Sequence, residues 1–191
     1  NGTTPQTRVV ISKGSMGNRT YQANWKELYG ILMEGADFNE KIKTLSTGKS
    51  SNLGTVNTEI KSIQVTNIVP EGVKTAVVSD ASSPAKILAY FDQNTGCIYL
   101  SCPVSDIRLN PQSYYLFNNM DGLTYIDMTP FQTSDLVNAS GMFSNCDNLT
   151  GLNLSRMDTS NVTSMTRMFA DCKNLTSLDL SSFNTGKVRY M

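Results

Sequence analysis

Two carboxylates in one repeating column, Asp127 and Asp179, are the residues of this 191-residue chain that come nearest to a catalytic pair. Asn153 stands between them at equal steps (153−127 = 26; 179−153 = 26). On strands about 4.8 Å apart, the two carboxylates would be separated by about 10 Å. That is near the upper end for the acid and base of an inverting glycosidase. No pocket between them is implied, so no catalytic residue is assigned and the chain is expected not to be an enzyme. The column has a second chemistry. Tyr125, Asp127, Thr129, Asn153, Ser155, Asp179 and Ser181 form a polar stripe with one aromatic edge, a candidate ligand-binding surface for a glycan or a protein. The alternative is a hydrogen-bonded ladder that only keeps a sheet soluble.

Other chemistries are excluded or weakened by composition. Histidine is absent, which removes Ser-His-Asp and Cys-His nucleophile systems and any imidazole-ligated zinc site. Cys146 and Cys172 are one step apart (172−146 = 26) and read as small buried hydrophobes. Cys97 and Cys102 are five apart, which points them to opposite faces of a strand and argues against a local bridge. Gly48-Lys49-Ser50 ends like a phosphate-binding loop, but Lys43 occupies the place of its first glycine and a helix precedes it. No metal or cofactor is expected. Lys plus Arg and Asp plus Glu are both 16, so neither a nucleic-acid partner nor a polybasic membrane surface is indicated. No apolar run reaches the roughly 18 residues of a transmembrane helix. No leader is evident, so any signal peptide was removed or never present.

The elements that must position the column come from a repeat. Phe117, Phe143 and Phe169 keep the 26-residue step, as do Leu123/Leu149/Leu175, Ile126/Leu152/Leu178 and Met128/Leu154/Leu180. A fixed period of this size marks stacked repeat architectures. Leu149-x-x-Leu152-x-Leu154 has the spacing of a leucine-rich-repeat strand, with the intervening residues facing out. Asp158-Thr159-Ser160-Asn161 reads as a turn and helix start. Val162, Met165, Met168 and Phe169 then form the inward stripe of about two helical turns. The methionines and phenylalanines are core positions rather than a cofactor groove. The Asn-x-Ser/Thr sequons at Asn1, Asn18, Asn138, Asn148, Asn153, Asn161 and Asn174 are mostly by-products of the repeated strings.

Upstream, residues 1–23 read as a flexible lead-in with a short edge strand at Val9-Val10-Ile11. Residues 24–105 read as an α+β capping module and 106–191 as about three repeats. In the module, Trp25, Leu28, Leu32 and Met33 predict a helix from Asn24 to Gly35. Asp37 and Glu40 predict a capping box for a second helix with Phe38, Ile42 and Leu45 inward and Gly48 as its stop. Strands are predicted at 59–67, Val73–Val78, Lys86–Phe91 and Cys97–Ser101, the last two joined as a hairpin ending on Gly96. Asp106–Leu109 is expected to be a shortened first coil, with Ile107 and Leu109 placed like Ile126 and Met128. The fold class is α+β: an N-terminal α+β cap followed by a short right-handed leucine-rich-repeat (α/β) solenoid. Such arrays need sealed ends.

Asn174-Leu-Thr-Ser-Leu-Asp-Leu-Ser-Ser-Phe-Asn-Thr185, with Met165-Thr-Arg-Met-Phe-Ala-Asp-Cys172, resembles the repeat of BspA-like leucine-rich-repeat surface proteins of Gram-positive bacteria and mollicutes. Segments 28–43, 78–84 and 89–100 resemble the region before those repeats. The resemblance implies a bacterial secreted or wall-anchored protein whose repeats adhere to host matrix, neighbouring cells or surfaces. It transfers no catalytic residue. The first repeat departs from the pattern at Met120, Pro130 and Ala139, as expected where it docks on a cap. The repeat at Met191 has no cap, so the natural protein is expected to continue or the open end to be covered by self-association. A non-binding structural spacer is the alternative function.

Overall fold

The computed structural model describes residues 28–191. The expected lead-in at 1–23 and Trp25 lie outside the described residues. The expected helix from Asn24 is not what its described part forms. Gly30–Ile31 is instead a strand, β1, paired in parallel with β6 (Ile107–Arg108). The spacing of Leu28, Leu32 and Met33 suits a helix, but tertiary packing decides. A Cβ on Gly30 would sit 2.7 Å from Ile87 and 2.9 Å from the Cys102 sulfur, so the backbone itself packs into the core.

The second expected helix exists: α1 spans Gly35–Thr47, buries Phe38 and Ile42, and stops at left-handed Gly48 (φ 69°). Its capping box does not form. The N-cap is Glu34, without a side-chain cap bond, and the Glu40 carboxylate accepts the Leu53 N–H at 3.2 Å. Gly48-Lys49-Ser50 therefore follows a helix end rather than opening a helix. The strands β2 (Ser62–Thr66), β3 (Thr75–Val77), β4 (Leu88–Asp92) and β5 (Cys97–Ser101) form one sheet in the order β2-β5-β4-β3. The β4–β5 hairpin is antiparallel and turns through Gly96 at φ 68°. Hydrophobic alternation and turn chemistry had located all four.

The predicted cap-plus-solenoid architecture is corrected. Among the described residues there are three small sheets and one helix, and no repeat has a helical half. The reason lies in the backbone. Tyr115, Gly141 and Arg167 are left-handed at φ 59°, 60° and 55°, and so are Asn119, Asn145 and Asp171 at 56°, 55° and 57°. One such residue every four breaks any run of i→i−4 bonds. The segment becomes paired turns. The strand part is short as well: β7 (Tyr125–Asp127) pairs in parallel with β9 (Gly151–Asn153), and residues 175–180 form no strand. β6 is not the equivalent of β7 either. It pairs with β8 (Phe131–Gln132), matching Ile107 to Phe131 rather than aligning it with Ile126.

What the period does dictate is which residues meet. Isolated parallel bridges join Gln112 to Asn138, Asn138 to Ser164 and Ser164 to Tyr190. Phe117, Phe143 and Phe169 lie ring on ring, 5.6 Å between successive centroids, with Phe38 of α1 edge-on to Phe117 at 6.3 Å. One buried apolar cluster runs from Leu32 and Phe38 to Met168. Module and repeats meet closely at Gly122, whose N–H donates to the Asn57 carbonyl; a Cβ there would strike the Ile60 and Thr58 carbonyls.

Candidate functional site

The column is built by local turns. Asp127 and Asn153 are direct neighbours across the β7–β9 ladder, both half-buried. Asp179 is exposed and lies beyond that ladder. Each member accepts a backbone N–H two residues on: Thr129 to Asp127 at 3.0 Å, Ser155 to Asn153 at 3.2 Å, Ser181 to Asp179 at 2.9 Å. These are Asx turns, which short polar side chains make with their own backbone. Ser155 also donates its hydroxyl to Asn153 at 2.8 Å. Thr129, Ser155 and Ser181 therefore fix the direction of the column, and one side-chain oxygen of each Asp is spent on it.

Tyr125 is 52% exposed at the head of the column. Its repeat equivalents are Gly151 and Ser177, and a Cβ on Gly151 would meet the Tyr125 ring at 2.9 Å. The absent side chain at Gly151 is what lets the ring lie against the neighbouring strand. The same Tyr-to-Gly change recurs at Tyr115 and Gly141, where a Cβ on the glycine would also strike the ring. The bond from Ser181 holds the Asp179 carboxyl below its ordinary value, the opposite of what a general acid needs.

A second set of residues, missed in the sequence, joins one repeat to the next. The amides of Asn148, Asn161 and Asn174 donate to the carbonyls of Asp121, Ser134 and Asp147 at 2.9, 2.8 and 2.8 Å. Three of the apparent sequons are thus inter-repeat clamps. The thiols do likewise: Cys146 donates to the Phe117 carbonyl and Cys172 to the Phe143 carbonyl, each at 3.0 Å. All four cysteines are free. Burial pushes the Cys146 thiol up to about 12 and raises Cys172 as well. Since the thiolate is the reactive form, a thiol reagent at pH 8 should modify the half-buried Cys172 well ahead of Cys146 in the folded chain. Mass spectrometry of the labelled peptides reads this, and equal rates would contradict the packing.

Among the described residues, no three His, Cys, Asp or Glu side chains converge on a metal-sized site. No helix among them is long and apolar enough to cross a membrane. Neither the curated proteins nor the solved structures contain a match. The repeats do have one. It is to a Mycoplasma family rather than specifically to the BspA-like leucine-rich-repeat proteins. Residues 112–191 of the chain match the family described as "Mycoplasma protein of unknown function, DUF285".

Proposed function

We propose that the chain is a non-catalytic binding module of a bacterial, mollicute-type surface protein, recognising a protein or glycan on a host or neighbouring cell. The observation that carries the reading is the exposed Tyr125 ring at the head of the oriented column Asp127, Asn153 and Asp179. An aromatic face beside fixed polar groups suits a sugar ring or a polar peptide. The balance of 16 basic and 16 acidic residues speaks against nucleic acid as the ligand, and no cofactor is invoked. Secretion and adhesion belong to this proposal; the match over residues 112–191, to a Mycoplasma family of unknown function, supports its bacterial part alone.

The test is capture on an array of extracellular-matrix proteins and glycans. Tyr125→Ala and Asp127→Ala should each weaken capture about tenfold, a loss of about 1.4 kcal/mol, and Asp179→Ala should do so less because it lies outside the ladder. Capture unchanged in all three would sink the reading.

A further inference from the structure

The Asx turns leave a defined remainder of bonding capacity in the column. Asp127 spends one carboxylate oxygen on the Thr129 N–H, and Asn153 spends its amide oxygen on the N–H and hydroxyl of Ser155. Among the described residues, the other Asp127 oxygen accepts nothing and the Asn153 amide nitrogen donates to nothing. The two do not bond each other. They are register partners on β7 and β9, on strands about 4.8 Å apart. A free acceptor thus stands beside a free donor. Tyr125 shares their face, since residues two apart on a strand point the same way and Ile126 between them is buried.

The surroundings of the ring narrow the ligand. Tyr125 leans on Gly151 and stays half in solvent. Its neighbours along the two strands are Thr124, Thr150 and Asn153, and the Thr150 hydroxyl is already spent on the Thr124 carbonyl at 3.0 Å. A protein hot spot closes its aromatic into a desolvated apolar pocket, and these side chains build none. Charge narrows the ligand further. Residues 112–155 carry Asp121, Asp127, Asp135 and Asp147 but no Lys or Arg. β2, which lies beside β7, adds no charged side chain. Among the described residues Asp127 has no ion-pair partner, so a carboxylate or sulfate on the ligand would meet its charge unrelieved.

Resting on the reading of this column as a binding surface, we propose that its ligand is a neutral glycan. One pyranose ring sets its C–H face on Tyr125 and bridges Asp127 and Asn153 with two vicinal hydroxyls. A hydroxyl can both donate and accept. One of the pair therefore gives its proton to the carboxylate while its neighbour accepts from the amide. The roles of the two hydroxyls can be exchanged, whereas the N–H and C=O of a peptide ligand cannot trade places.

The test is NMR titration of the isotope-labelled full chain, following the Asn153 side-chain amide. The probes are the methyl glycosides of glucose, galactose, mannose and N-acetylglucosamine, with those of glucuronic and N-acetylneuraminic acid for comparison. At least one neutral sugar should shift the amide saturably, and both acids should bind at least tenfold more weakly. Tyr125→Ala should weaken binding at least tenfold and Tyr125→Phe less than twofold. Asp127→Asn keeps an oxygen for its Asx turn but replaces the free acceptor with a donor, and should cost at least fivefold. The double exchange Asp127→Asn with Asn153→Asp puts an acceptor beside a donor again and should recover binding to within about twofold. No shift with any neutral sugar would overturn the proposal, as would equal binding of the acids or a double exchange that restores nothing. A chain that captures a matrix protein but none of these sugars keeps the binding reading and loses this one.

Discussion

Phe143→Ala is expected to lower unfolding free energy by about 3–5 kcal/mol, the cost of emptying a fully buried aromatic site. For a chain of this size that corresponds to a fall in Tm on the order of 10 °C. Phe143 is 0% exposed and is the one of the three rings with a phenylalanine stacked face-on against both sides, each 5.6 Å away. Its loss therefore removes two ring contacts and leaves a cavity between repeats. Phe169→Ala is the internal control. That ring has one stacked neighbour and is already half-exposed, so it should cost roughly half as much. Urea titration of both variants measures the difference. Equal losses would mean that the stack does not form the repeat core.

Lys43→Met is expected to stabilise the chain at pH 7 by about 1–3 kcal/mol. Lys43 is 0% exposed on the inner face of α1, and its ammonium makes one long bond, 3.5 Å, to the Leu53 carbonyl. That carbonyl also accepts from Asn118 at 3.0 Å and Asn119 at 2.8 Å, so removing the ammonium does not orphan it. Burial lowers the amine from 10.5 to about 8, opposed by the nearby Cys146, Glu40 and Asp121. The unfolded chain keeps the ordinary value. Between pH 8 and 10.5 the unfolded state consequently holds more protons, and stability rises with pH across that window. Below pH 8 the amine is charged in both states and the cost of burying it is fully felt, about 3 kcal/mol for a 2.5-unit difference. Denaturant titrations from pH 7 to 10.5 should show this rise in the parent and a flatter profile in Lys43→Met. A variant less stable than the parent at pH 7 would mean that the ammonium is well solvated or bonded in place.

The sequence disclosed contacts better than conformations. The 26-residue echo identified Phe117, Phe143 and Phe169 as neighbours, and alternation with a glycine-ended turn located the β4–β5 hairpin. β1 was hidden because Gly30 and Ile31 gain their strand geometry from Ile107 and Arg108, far along the chain. The helical spacing of Val162, Met165 and Met168 was real as a burial pattern, since all three are buried, but paired turns produce the same inward spacing. The signal against a helix was Asn119, Asn145 and Asp171, residue types that tolerate the left-handed region. In the column, the spacing found Asp127, Asn153 and Asp179, while the Asx turns that aim them and the break before Asp179 depend on geometry the period does not carry.

The clamps between repeats have a genetic consequence. The bonds from Asn148, Asn161 and Asn174 each span 27 residues, and those from Cys146 and Cys172 each span 29. A recombination event that duplicates or excises 26 codons within the array replaces every donor with its counterpart and keeps each pairing distance. An event of 25 or 27 codons misaligns every pair that straddles it. Length variation in such a gene should therefore be quantised in whole repeats, so that array length can drift between lineages while the chemistry of each junction stays the same.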